Sequence, residues 1–192
     1  MAEESSQRRA MSKTFNEISE LFSARVGDEY LGEDVKLVEH MLQCGDLARS
    51  AGAPPYLVIA SLLHDIGHLL VENPPASQES GIDLHHDVVG AWWLEARFPA
   101  EVSEPVRLHV AAKRYLVTTQ HDYLSKLSHA SVQTLYMQGG PLNQDEVIEF
   151  ISREGAEDAV HVRLWDDLAK VRDKPTSSLK EFEELIDLLA RS

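Results

Sequence analysis

Apolar residues recur along most of the chain at helical intervals. Phe15, Ile18, Leu21 and Phe22 fall on one face of a first helix, predicted to end near Gly27. Val35, Leu37, Val38, Met41, Leu42 and Leu47 mark a second, stopping at Gly52. Pro54 and Pro55 suit the first turn of a third, and its run over 57–63 is apolar nearly all round, as in a central buried helix. Residues 71–85 (VENPPASQESGIDLH) carry two prolines, a glycine and small polar residues, so a loop is predicted. Helices are expected at about 86–97 and 101–117, with shorter segments near 121–137 and a break at Gly139, Gly140 and Pro141. Asn143 with Glu146, and Ser178 with Glu181, have capping-box spacing for two later helices, and 156–172 is another helical stretch between them. Strand-like alternation is scarce. The pattern predicts an all-α fold, with 1–12 a flexible N-terminal segment and 13–192 a single domain.

Composition narrows the partners. Among 192 residues, 18 Lys and Arg face 32 Asp and Glu, a formal charge of −14, which disfavours nucleic acid and anionic membrane surfaces. The longest apolar runs, such as 56–63, are too short to span a bilayer, and residues 1–13 are polar rather than signal-like. A single cysteine, Cys44, allows no internal disulfide and suits a reducing cytoplasm. Nine histidines in so acidic a chain are the anomaly.

His64 and Asp65 adjoin each other late in the apolar third helix, in the run Leu62-Leu63-His64-Asp65-Ile66-Gly67-His68. A carboxylate buried there needs a cationic partner, and a metal ion, or two sharing the carboxylate, would serve. On its own the dipeptide reads more readily as a structural histidine with a capping aspartate. His40, His64, His86 and His109, however, follow one another at intervals of 24, 22 and 23 residues, each the length of a helix plus a loop. Antiparallel helices can bring such side chains together. A lone histidine on an apolar face is usually a satisfied core residue; four with an aspartate are hard to bury without metal. A further carboxylate lies on the later helix, where spacing separates Asp166 poorly from Asp167 or Asp158. Cys44, one turn after His40, reads as a small buried thiol. Glu39 is a candidate to orient an imidazole.

The order His40, His64-Asp65, Asp166 resembles the HD-domain superfamily of metal-dependent proteins, and His86 and His109 match the additional ligands of its dinuclear branch. Most of that superfamily are phosphohydrolases; a smaller branch activates oxygen with two irons. Tyr30-Leu31-Gly32-Glu33, Glu39-His40-Met41-Leu42-Gln43-Cys44, His109-Val110-Ala111-Ala112-Lys113-Arg114-Tyr115-Leu116-Val117, Gln138-Gly139-Gly140-Pro141 and Arg163-Leu164-Trp165-Asp166 look like the 2-amino-1-hydroxyethylphosphonate oxygenases of that branch, over about residues 28–170.

The resemblance implies an HD-domain helical bundle with a dinuclear site in its core. Its cofactor would be a mixed-valent Fe(II)/Fe(III) pair and its co-substrate O2. His40, His64, Asp65 and Asp166 would hold one iron, and Asp65 would bridge to a second completed by His86 and His109. Lys113, Ser131, Arg163 and His68 match the positions that hold the phosphonate. Tyr30 and Glu33 match a lid whose tyrosine yields to substrate, and together with His68 they are assigned to the catalytic machinery. His85 is expected to be exposed or outside the ligand set. The small-molecule substrate would be a 1-hydroxy-2-(trimethylammonio or amino)ethylphosphonate, cleaved at its carbon–phosphorus bond to glycine betaine or glycine and phosphate. Because the loop 71–84 departs from the aminated-substrate enzymes, the trimethylated form is favoured, and Trp92, Trp93, Tyr115 and Tyr123 are available for a quaternary ammonium. Rival readings are an HD phosphohydrolase acting on a nucleotide or phosphomonoester, and a non-catalytic metabolite sensor.

Overall fold

A computed structural model describes residues 12–30, 32–71 and 85–191. The helices are α1 (Lys13–Ala24), α2 (Leu37–Ser50), α3 (Pro55–Leu63), α4 (Ile66–Leu70), α5 (His86–Glu95), α6 (Ala100–Thr119), α7 (His129–Met137), α8 (Gln144–Ser152), α9 (Ala156–Leu168) and α10 (Glu183–Leu189), with 3-10 turns at Leu124–Lys126 and Leu179–Phe182. Among the described residues there is no strand, only an isolated antiparallel bridge between Glu29 and Lys36. The fold is all-α, as the hydrophobic spacing predicts.

α3 is the buried centre. Every residue from 57 to 63 is buried, as its all-round apolar surface requires, and α2, α6, α9 and α10 pack against it. The long α6 runs beside α3, α5 and α9, so it can deliver side chains to the middle of the bundle. One core joins Phe15, Ile18 and Phe22 of α1 to Phe182 and Ile186 near the other end of the chain. Each such side chain withdrawn from water contributes about 1.5–3 kcal/mol before the entropy of ordering it is set against it. Leu108, Ala112, Leu142, Phe150, Ala156 and Ala159 form a smaller second core.

Several boundaries differ from the sequence pattern for identifiable reasons. Ser12, assigned to the terminal segment, is the N-cap of α1: its hydroxyl accepts from Phe15 N at 3.2 Å and donates to Asp187. The rest of that segment, 1–11, lies outside the described residues, as does most of the loop 71–85. The capping box of Asn143 and Glu146 opens α8, whereas that of Ser178 and Glu181 opens a 3-10 turn that runs into α10. The expected helix over 156–172 ends at Leu168.

The largest departure concerns His64 and Asp65. They do not end a continuous helix; they are the break between α3 and α4, with Asp65 at φ −100°, ψ 14°. Successive residues of an unbroken helix diverge by about 100°. The break lets this adjacent pair converge on one point. The short α4 then packs against the start of α5, and only glycine permits it: a Cβ on Gly67 would lie 2.0 Å from the His86 carbonyl oxygen. Gly90, one turn after His86 on α5, also meets Gly67: its own Cβ would stand 3.1 Å from Gly67 N.

Candidate metal centre

Four imidazoles and two carboxylates meet between α2, α3, α5, α6 and α9. His40 sits in the first turns of α2, His64 and Asp65 at the α3–α4 break, His86 at the start of α5, His109 mid-α6 and Asp166 in the last turn of α9. His40 Nδ1 donates to Ala169 O at 3.0 Å, His64 Nδ1 to Ser61 O at 2.8 Å and His109 Nδ1 to Val106 O at 2.7 Å. Each bond fixes the ring and turns Nε2 inward. Main-chain carbonyls thus perform the orienting role that the sequence reading gave to Glu39. The early end of α9 has a use as well, since it presents Ala169 O to His40.

The inward nitrogens form two pairs. His40 Nε2 and His64 Nε2 are 3.1 Å apart, and so are His86 Nε2 and His109 Nε2. Asp65 lies between the pairs with one oxygen for each. Its Oδ2 is 3.6 Å from His40 Nε2 and 3.4 Å from His64 Nε2; its Oδ1 is 3.4 Å from His86 Nε2 and 3.7 Å from His109 Nε2. Asp166 Oδ1 joins the first group at 3.4 Å from His40 Nε2. Donors bonded to one ion at about 2.1 Å stand about 3.0–3.4 Å apart in octahedral or tetrahedral arrangements, so these separations match two neighbouring ions with a shared carboxylate. Asp65 Oδ2 and Asp166 Oδ1 are fully buried without a hydrogen-bond donor, a costly state for a carboxylate that a cation relieves. The residues fit a dinuclear metal group.

Charge sets one imidazole, His64, apart from the other three. Burial lowers His40 and His109 to about 4, and burial with the neighbouring His68 takes His86 well below its ordinary value, leaving neutral, ligand-ready imidazoles. For His64 burial acts in the same direction but is outweighed by Asp65, and the pKa stands well above normal. Burial would raise Asp65 and Asp166, yet His64 holds the first well below the carboxylate range and Arg163 does so for the second.

A ring covers each half. Tyr30 stacks on His40 with centroids 4.3 Å apart, and His68 on His86 at 4.1 Å. His68 also presents a donor atom within 4.8 Å of those of Asp65 and His86. The His86 side chain is 12% exposed while those of His40 and His64 are fully enclosed. His85 is exposed and holds the left-handed conformation, φ 49°, that starts α5.

Beside the imidazoles lies a buried cationic cluster. Lys113, one turn beyond His109 on α6, is buried, and its Nζ donates to Thr134 Oγ1 at 2.8 Å. Arg163 Nη1 donates to Asp166 Oδ2 at 2.7 Å, Nη2 to Ser131 Oγ at 3.4 Å and to Asp167, and Nε to Tyr123 Oη at 3.2 Å. Glu33 accepts from Ser128 and, at 2.8 Å, from Lys170. The six ligand candidates, together with Tyr30, Glu33, His68, Lys113, Ser131 and Arg163, therefore lie in or against this one region.

The aromatic candidates for a quaternary ammonium are not gathered there. Trp92 is exposed, Trp93 lies under the Arg97 guanidinium at 3.8 Å, and Tyr115 stacks on Phe150 in the second core. Tyr123 turns its hydroxyl to Arg163 and Asp167. The sequence reading overlooked Lys170, whose one signal was its position four residues after Asp166. Asp158, a rival for the last carboxylate, interacts with Tyr56 instead.

This helical bundle, with histidines and aspartates from five helices around one shared carboxylate, is the architecture of a metal-dependent HD protein. The HD domain family profile matches residues 37–135, and the chain belongs to that family. Within it, the chain is 39% identical over 169 residues to [1-hydroxy-2-(trimethylamino)ethyl]phosphonate dioxygenase (glycine-betaine-forming) of Leisingera caerulea, covering 88% of this chain and 86% of the relative. It is 38% identical over 162 residues to hydroxymethylphosphonate dioxygenase of Gimesia maris, covering 84% of this chain and 81% of the relative. An uncharacterized protein, L432, of Acanthamoeba polyphaga mimivirus is 34% identical over 180 residues, 92% of this chain and 82% of that one.

Proposed function

We propose that the protein is a dioxygenase that cleaves the carbon–phosphorus bond of 1-hydroxy-2-(trimethylammonio)ethylphosphonate. The C1 carbon becomes the carboxylate of glycine betaine. One O2 is consumed, and hydrogen phosphate and one proton are released. The observation that carries the reading is Asp65, whose two oxygens each face a separate pair of histidines. Similarity to two phosphonate dioxygenases supports the substrate class.

In this proposal His40, His64, Asp65 and Asp166 hold one iron, and Asp65, His86 and His109 the other. A mixed-valent iron pair supplies activation of O2 and a Lewis-acid hold on the substrate's oxygens. The chain's own residues do the rest. Lys113 and Arg163 neutralise the phosphonate locally in a protein whose overall field repels it. The Ser131 hydroxyl and His68 complete the anion's contacts. Tyr30, stacked over His40, closes the site against water, with Glu33 held nearby by Ser128 and Lys170. No described helix is long and apolar enough to cross a membrane, and a cytoplasmic setting is part of the proposal.

The test is an assay of phosphate release and oxygen uptake by iron-loaded protein. It uses the trimethylated and primary-amine hydroxyphosphonates and hydroxymethylphosphonate as substrates. The expected result is stoichiometric oxygen uptake and phosphate release, fastest with the trimethylated compound. Equal phosphate release without oxygen would replace the proposal with a phosphohydrolase.

A further inference from the structure

Lys170 lies just past the end of α9, 11% exposed, and none of the contacts above requires it to touch substrate. Its Nζ donates to Ser131 Oγ at 2.7 Å and to Glu33 Oε1 at 2.8 Å, and stands 3.8 Å from Asp166 Oδ1. Two acceptors therefore take hydrogen bonds from this ammonium, and the Asp166 carboxylate stands beyond hydrogen-bond reach as a further counter-charge. Arg163 Nη2 approaches the same Ser131 oxygen at 3.4 Å. A hydroxyl has two lone pairs and one proton. With cationic donors directed at both lone pairs, Ser131 is left with only its proton to offer, and the two charges make that proton a stronger donor. Thr134, which receives Lys113, donates its own hydroxyl to Ser131 O at 3.2 Å, so the neighbouring ammonium also keeps donors to spare.

We infer that Lys170 is a positioning residue that fixes Ser131 as a hydrogen-bond donor to a fully deprotonated phosphonate oxygen, its own charge being balanced by Glu33. The inference rests on the proposed phosphonate pocket and adds a selection rule to it. Lys113, Arg163 and Ser131 all meet the anion as donors, so a dianion whose oxygens only accept is favoured over a ligand that presents O–H or N–H at that end.

The experiment measures inorganic phosphate affinity of the iron-loaded protein by calorimetry, independently of turnover. Lys170→Met is combined with Glu33→Gln, so that cation and carboxylate leave together and local charge is unchanged. This pair and Ser131→Ala should each weaken phosphate binding about tenfold, the scale of one charge-assisted hydrogen bond. Combined, they should weaken it no further than either alone, because both remove the same donor. Lys170→Arg, which keeps a donor to Ser131, should stay within about threefold of the wild type. Unchanged affinity in the Lys170→Met, Glu33→Gln protein, or losses that multiply to about a hundredfold in the combination, would overturn the role of Lys170 alone. A wild type that takes up no phosphate would overturn the anion pocket itself, and this inference with it.

Discussion

Individual side chains at this site are defined by what faces them. Asp166 and Asp167 are neighbours on α9 and indistinguishable by spacing, yet Asp166 Oδ1 is aimed at His40 while Asp167 is taken by Arg163 and Tyr123. Lys113 is a second case. Burial, then Arg163 and Lys170, bring its pKa down to about 7, against a smaller opposing effect of Asp166 and Asp167. At about pH 8 such a lysine is mostly neutral, and a dianion placed beside it shifts it back towards the charged form. Binding of sulfate, which carries no titrating proton near neutrality, should therefore take up protons at about pH 8 and progressively fewer as the pH falls below 7. Calorimetry in buffers of different ionisation enthalpy reads this directly. Lys113→Met should abolish most of the uptake, and equal uptake in that variant would remove Lys113 from the pocket.

At the scale of elements, the decisive event is the break after α3. A continuous helix would separate His64 from Asp65; the turn into α4 brings them together, and the contact between Gly67 and the His86 carbonyl sets α5 close enough to add its histidine. Gly67→Ala forces a methyl group against a main-chain oxygen that cannot rotate away. The expected cost is about 3 kcal/mol, or roughly 10 °C in Tm, with reduced occupancy of the His86 side of the site. Thermal denaturation and metal analysis check both; a Tm within about 1 °C of wild type would show that the helices part at little cost. The sequence hinted at this element only weakly. His-Asp-Ile-Gly-His continues an apolar helical run, and nothing local in it stops a helix strongly. The stop comes from the packing of α5 on α4, which periodicity does not register.

For the whole molecule, the site is where helices from both halves of the chain meet, so metal and fold are coupled. Ions bound only by the folded state stabilise it, each by about 4 kcal/mol at a thousandfold excess over its dissociation constant. Removing them with a chelator should lower Tm, and reloading iron should restore it. Asp65→Ala, which withdraws a donor from both histidine pairs at once, should lose most bound iron and most of the chelator-sensitive part of Tm. His64→Ala should chiefly lose the ion on its own side. If Asp65→Ala keeps two irons per chain, the bridging assignment fails.

The amino-acid sequence by itself determined the all-α class, the order and approximate extent of most helices, the capping box of α8 and the residues from which a metal site could be drawn. These are local properties: apolar spacing, caps and breakers act within a few residues, and a histidine repeated at the length of a helix plus a loop is visible in one dimension. The resemblance to HD proteins then separated Asp166 from its neighbours. Only tertiary structure decided that His64 and Asp65 occupy a break, that carbonyls of Ser61, Val106 and Ala169 orient the imidazoles, that Lys170 completes the cationic cluster and that Trp92, Trp93 and Tyr115 lie elsewhere while Tyr123 turns its hydroxyl to Arg163. Each of those depends on distances between residues remote in the chain, and such distances are set by how whole helices pack.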